Sequence, residues 1–259
     1  MSGVFKPIGI SAFATFLLLA ISSAGAKAEG QDQCADAATP EQHIFACTVV
    51  IESSFNDAKT VEVAYLNRGL AYFETQDLEK AVADFGKAIE LAPQDATAYE
   101  ARAIAFNASR DYDHAIQDDL KAVEINPASA RAYNNLANIY KAKGNLESAI
   151  EDYGRAIALL PNEPKLYLNR ANSLKALGRL KEAIKDYSYA LALDSTFLSA
   201  YINRGNTYEA LGDIANAKAD FERVLVIDPM NNAAIVNKLR LEKLVESNKT
   251  DRSIATSSK

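Results

Sequence analysis

An all-α solenoid of stacked helix-turn-helix units is what this sequence predicts, on three observations. Tyr65, Tyr99, Tyr133, Tyr167 and Tyr201 stand 34 residues apart in four successive intervals, with no insertion. A fixed period of roughly 20–50 residues is the signature of stacked supersecondary units. Counted from each Tyr, offset four is small (Gly69, Ala103, Ala137, Ala171, Gly205) and offset seven is large and apolar (Tyr72, Phe106, Tyr140, Leu174, Tyr208). Those offsets share one face of a helix. Offset sixteen is Ala in every unit (Ala81, Ala115, Ala149, Ala183, Ala217), and offset twenty is aromatic in four of five (Phe85, Tyr153, Tyr187, Phe221). A second helix therefore carries its own buried stripe.

The connections follow from local chemistry. Pro93, Pro127, Pro161 and Pro229 end the second helix, because proline cannot continue one. Between the helices, Gly144, Gly178 and Gly212 suit the left-handed residue after a helix end, and Asp77, Asp111, Asn145 and Asp213 suit the next N-cap. Two positions depart from the pattern. Asp119 replaces the aromatic of the second unit, and Ser195 replaces a proline.

With these residues the chain resembles the tetratricopeptide repeat family over residues 62–231, with Tyr where many members carry Trp, and reads as an exported bacterial member. The resemblance implies a right-handed α-solenoid of helix-turn-helix repeats in five units: 62–95, 96–129, 130–163, 164–197 and 198–231. It implies that the first helices line a concave groove, and that the protein is a non-enzymatic interaction scaffold. The carboxylate clamp of chaperone-binding members is not matched, since its Lys/Asn pair falls on Glu100 and Ile104.

Ahead of the repeats, Lys6, the apolar run Ile8 to Ile21 and the small residues Ser22 to Ala26 have the order of a secretory signal peptide over residues 1–26. Cleavage after Ala26 or Ala28 satisfies the small-x-small rule. An uncleaved anchor is the alternative, but the apolar run is shorter than the ~20 residues a span needs. Gln31-Asp32-Gln33 before Cys34 is unlike a lipoprotein signal. The expectation is a periplasmic or secreted protein with no stable membrane span after cleavage.

Residues 27–61 read as a degenerate N-terminal cap. Thr39-Pro40-Glu41-Gln42 has an N-cap, a first-turn proline and a capping-box Gln. Cys47 then lies ~12 Å along that helix. The stretch from Cys34 to Thr39 extends up to ~17 Å, so a Cys34–Cys47 disulfide is within reach, as exported proteins favour. His43 to Glu52 resembles the second helix of a repeat. At the other end, Ile235 and Leu239 continue the period into a capping helix over 232–246, with a polar, disordered tail expected over 247–259.

The formal net charge is −6, and losing Lys6 with residues 1–26 leaves −7. Phosphate-backbone binding runs on basic clusters, so nucleic acid is not the expected partner. Neither His43 nor His114 stands with a nucleophile or paired carboxylate, and no insertion gives room for an active site. No enzyme activity, cofactor, metal or small-molecule substrate is expected.

What recurs instead is asparagine on the first helices: Asn67, Asn135, Asn169 and Asn203 at offset two, and Asn138, Asn172 and Asn206 at offset five. At about 100° per residue these point away from the packing stripe. Asparagine is a mediocre helix former, so its recurrence needs a reason. A primary amide both donates and accepts, and so can hold a peptide backbone whatever its side chains. The rows also fit amides that merely bond neighbouring helices. Arg131, Lys141, Lys165 and Lys175 on the same helices would select an acidic segment or chain terminus of a protein or peptide partner. The alternative is an assembly subunit of a cell-envelope complex that self-associates through its helical ends. Finally, Arg68, Arg102, Arg170 and Arg204 at offset three, with Asp84, Asp118, Asp186 and Asp220 at offset nineteen, predict architectural Arg–Asp bridges. Leu136 breaks the series and leaves Asp152 to find another partner or face water.

Overall fold

In the computed structural model of the protein, Cys34, residues 37–53 and residues 56–257 are described, with side chains as far as 246. The predicted signal peptide lies outside the described residues. Among the described residues the secondary structure is helical throughout, in the order α1 (Pro40–Glu52), α2 (Ala58–Glu74), α3 (Leu78–Leu91), α4 (Ala96–Ala108), α5 (Tyr112–Ile125), α6 (Ala130–Ala142), α7 (Leu146–Leu159), α8 (Pro164–Ala176), α9 (Leu180–Leu193), α10 (Leu198–Ala210), α11 (Ile214–Ile227) and α12 (Asn232–Ser257). No described helix is long and apolar enough to cross a membrane. The chain divides into two compact halves, one ending at Ile139 and the other starting at Tyr140, within α6.

In the first half, α1 begins as its sequence dictates. The Thr39 hydroxyl accepts from the Gln42 N–H at 3.3 Å, and Gln42 Oε1 accepts from the Ala38 N–H at 3.2 Å. Cys34 and Cys47 are joined in a disulfide with their Cα atoms 4.7 Å apart, buried with Val50 and Ala64. Next, α2, α3 and α4 close around Leu66, Leu70, Ala81, Phe85, Ala88, Ala98, Ala101 and Ala105. Gly69 lets α2 approach α3, since a Cβ there would meet the Phe85 ring at 2.6 Å.

In the second half the same device recurs. A Cβ on Gly205 would sit 2.8 Å from the Phe221 ring. Ala171, Leu174, Ala183 and Tyr187 form one core cluster, and Ala217, Phe221, Val224, Ala234 and Leu241 another.

The turns match the sequence reading where glycine is present. Gly144, Gly178 and Gly212 have φ of 82°, 75° and 79°. In the first two repeats Gln76 and Arg110 take that conformation instead, with φ of 65° and 63°, at a strain of roughly 1–2 kcal/mol each. Asp77, Asp111, Asn145 and Asp213 all accept from an N–H of the turn they cap. At α9 the equivalent residue is Arg179, which makes no such bond. Ser195 costs the fourth unit nothing in helix length, because α9 still ends at Leu193.

The Arg–Asp bridges form inside each hairpin. Arg68–Asp84, Arg102–Asp118, Arg170–Asp186 and Arg204–Asp220 each pair at 2.7 Å, and each is bidentate through Nε and Nη2. The recurrent tyrosines gain a second role from this. The Arg204 guanidinium lies 5.6 Å from the Tyr201 ring and 5.8 Å from that of Tyr208, and Arg68 stands likewise by Tyr65 and Tyr72. Such cation–π contacts add to the ion pair. Asp152, deprived of its partner by Leu136, takes Arg155 one turn along α7 at 2.6 Å.

One boundary differs from the sequence reading. Helix α12 runs on to Ser257, where a disordered tail is expected from 247. Nothing from Asn232 to Ser257 breaks a helix, since neither glycine nor proline occurs there.

Candidate interaction site

The amide rows do not share one environment. In the first half, Asn67 and Asn135 are buried rather than solvent-facing. The Asn67 amide donates to Cys34 Sγ at 3.7 Å, placing it against the disulfide. Asn138 is half-buried. Both rows point away from the packing stripe of their own hairpin, where a preceding repeat or the cap can cover them. Burial of Asn67 and Asn135 comes from that covering.

Arg131 is likewise engaged. Its Nε donates to Glu100, whose other oxygen accepts from the Ser129 hydroxyl at 2.6 Å. Ser129 in turn accepts from the Ala132 N–H at 3.2 Å, so the first turn of α6 hangs from Glu100 on α4. Beside it lies Asp119 of α5, 0% exposed, against 2% for Glu100. Neither Asp119 oxygen, nor the Asn135 Nδ2 next to it, completes a hydrogen bond of good geometry. Burial, followed by the Glu100 charge, raises the Asp119 carboxyl well above the usual carboxylate range, with Asn135 and Arg131 pulling the other way.

In the second half, Asn169, Asn172, Asn203 and Asn206 are all half-buried on α8 and α10. Asn172 Oδ1 accepts from the Tyr187 hydroxyl at 2.7 Å and from Asn203 Nδ2 at 3.2 Å. Asn206 Oδ1 accepts from Asn237 Nδ2 at 3.1 Å. The amide at offset five of one helix thus meets the amide at offset two of the next first helix. These bonds leave the Nδ2 of Asn172 and of Asn206 for other acceptors. Lys165 is exposed, while Lys141 and Lys175 are half-buried. Burial lowers both latter lysines below the usual ammonium value. Lys141 lies 5.9 Å from the Tyr153 ring.

Sequence reasoning missed the Glu100–Asp119 cluster as a unit. Its signal was present: Glu100 stands where other units carry Leu66, Leu168 and Ile202, and Asp119 where they carry an aromatic. Among the described residues no group of three His, Cys, Asp or Glu side chains is placed to hold a metal ion.

The sequence matches the tetratricopeptide repeat family at residues 63–95, 130–163 and 199–231, and a TPR repeat family at residues 171–212. Comparison with curated proteins finds no relative. Among solved structures, YrrB, described as a TPR protein with an unusual peptide-binding site, is 24% identical with a TM-score of 0.60, over 74% of this chain and 97% of its own. Pseudomonas aeruginosa pilF is 21% identical with a TM-score of 0.64, over 76% and 89%. A MamA fragment from Desulfovibrio magneticus RS-1 is 16% identical with a TM-score of 0.62, over 69% and 99%. At these identities the likeness is one of fold. The repeat period, the helix pairs in sequence and these matches make the chain a member of the tetratricopeptide repeat family.

Proposed function

We propose that this protein is a non-enzymatic scaffold that holds an extended peptide or a partner's helix on its first helices, and that it works in an oxidising compartment outside the cytoplasm. The carrying observation is the half-buried amide row of α8 and α10, where Asn172 and Asn206 keep donors free after bonding their neighbours. A row of amides spaced by one repeat suits a peptide backbone, whose own donors and acceptors recur along an extended chain. Lys175 and Lys165 supply positive charge on the same helix. That YrrB is described as binding a peptide makes the reading more natural for this fold. Export rests on the signal-like residues 1–26 and on the Cys34–Cys47 disulfide.

The test is capture from an envelope extract by the full mature chain and by a variant with Asn169→Ala, Asn172→Ala and Asn206→Ala. Each lost hydrogen bond is worth about 0.5–1.5 kcal/mol, so a partner of this site should bind roughly tenfold to a thousandfold more weakly. Undiminished capture by a folded variant removes the amides from the binding surface. Thiol mapping of the purified protein checks export: two free thiols would contradict it.

A second reading is an assembly subunit that self-associates through its ends. Val236 at 61% and Leu239 at 51% exposure give α12 an uncovered apolar face. Light scattering separates the two, since an assembly subunit oligomerises with no partner present.

A further inference from the structure

We propose that ionisation of Asp119 unseats α6 from α4 and α5, so that the first turns of α6, with Arg131 at their surface and Asn135 beneath, are held firmly in acid and loosen as the pH rises. The proposal deepens the interaction-site reading by adding a regulation to it, and it rests on that reading only for its effect on a partner.

Geometry gives the lever. Asp119 occupies the position that Phe85, Tyr153, Tyr187 and Phe221 fill in the other units, and it is sealed from solvent. The charged groups facing it are few. Glu100 comes from α4, Arg131 from α6, and Asp118 from its own helix. Asp118 is matched by Arg102 at 2.7 Å, and Glu100 by Arg131. An ionised Asp119 is therefore the one charge in this set without a counter-charge. Its neighbour Asn135 offers an amide that completes no good hydrogen bond. A buried, unpaired charge is held only by neutralising it or by letting water in.

The route by which water enters follows from the same contacts. Glu100 holds the first turn of α6 through both Arg131 and Ser129, and Ser129 also bonds the Ala132 N–H. Repulsion between Asp119 and Glu100 acts at the point where α6 is anchored. Releasing that turn exposes both carboxylates and frees the Arg131 guanidinium.

The sign is fixed by linkage. The closed state holds the Asp119 proton more tightly than the open one, so opening releases a proton. Below the ordinary carboxylate value of 3.8 the group is protonated in both states. Above it, and up to the raised value of the closed state, the opening constant rises tenfold per pH unit.

Amide hydrogen exchange on the full mature chain, corrected for the intrinsic pH dependence of exchange, reads this directly. From about pH 5 to about pH 8 the wild-type opening constant for amides of residues 133–139 should climb by that factor until Asp119 is ionised. Asp119→Asn should give a flat profile, and Asp119→Leu serves if the amide variant fails to fold. In the wild type, the Asp119 carboxyl carbon should titrate in an NMR experiment well above the usual range. A flat wild-type profile, an equally steep Asp119→Asn profile, or ordinary titration of Asp119 overturns the proposal. None of these outcomes bears on the interaction-site reading, because no partner enters the measurement.

Discussion

The second and fifth repeats present the same backbone and opposite interiors. At the fifth, Phe221 packs with Ala217 and Val224 in a dry cluster under Gly205, and Ile202 covers its flank. At the second, those two positions hold Asp119 and Glu100. Both hairpins keep the same Arg–Asp bridge, the same Ala at offset sixteen and the same N-cap. The helix pair is thus specified by caps, small residues and the bridge, and tolerates a polar interior where one local network supports it. Among the described residues, every buried side-chain polar atom that completes no hydrogen bond of good geometry, on Glu62, Asn67, Asp119 and Asn135, lies before Ile139, although Glu62 is ion-paired with Lys59. The second half carries none of that burden.

The comparison breaks most sharply if the two interiors are exchanged. Phe221→Asp should cost at least about 4 kcal/mol, since it removes a buried aromatic and leaves a carboxylate with no Arg131 or Asn135 beside it. Chemical denaturation would show it, and a loss of less than 1 kcal/mol, far below the range given for such a cavity, would mean that the polar interior needs no special support.

Smaller, and a test of the shared bridge, is Asp220→Ala. It leaves Arg204 held by Ser188 and two tyrosine rings but unneutralised, for a loss of about 3 kcal/mol. Asp152→Ala should cost about 1 kcal/mol or less, because Arg155 is half exposed and keeps its pair with Glu151. Equal losses at the two sites would show that the bridge between helices adds nothing over a pair within one helix.

Between those two lies Asp119→Asn, which should stabilise. At neutral pH the gain should be about 1–3 kcal/mol, the cost of an unsatisfied buried group. It should shrink toward zero as the pH falls to that of an ordinary carboxylate, because wild-type stability is lost as pH rises toward the raised value. Melting curves at several pH values check both size and slope. Comparable with Asp152→Ala is Asn172→Ala, which gives up the Tyr187 and Asn203 bonds and regains helix propensity. Its net cost should be about 1 kcal/mol, seen as a modest shift in denaturation midpoint.

Much of the fold was legible because the repeat restates itself. Prolines, glycines, N-caps and both apolar stripes each occur several times, so a single departure such as Ser195 could not obscure them. The Arg–Asp bridges were legible for the same reason, as two series at fixed offsets. What single-helix geometry could not give was the covering of one helix by the next. Asn67 and Asn135 face away from their own hairpin, yet the disulfide covers one and the Glu100–Asp119 cluster adjoins the other. Arg131 looked free because Glu100 lies 31 residues away in sequence, beyond any periodicity within one helix. Where α12 ends was not legible, because polar composition sets no helix boundary and no residue up to Ser257 forbids a helix.

The disulfide at the head of the chain gives the molecule a direction. Repeat arrays come apart one neighbour at a time, and the order in which hairpins are lost depends on which end yields first. At the α12 end non-covalent contacts hold the last helix, through the packing of Leu241 and Ala234, the Asn206–Asn237 hydrogen bond and ion pairs of Lys218, Lys238 and Arg240. At the other end a covalent loop from Cys34 to Cys47 sits against the start of the array. A processive protease or unfoldase that grips the C-terminal side would unravel the protein hairpin by hairpin and meet its last obstacle at that loop. One that grips the N-terminal side would meet the obstacle first. Damage to this protein would therefore be expected to leave N-terminal fragments, and reducing conditions would erase the polarity.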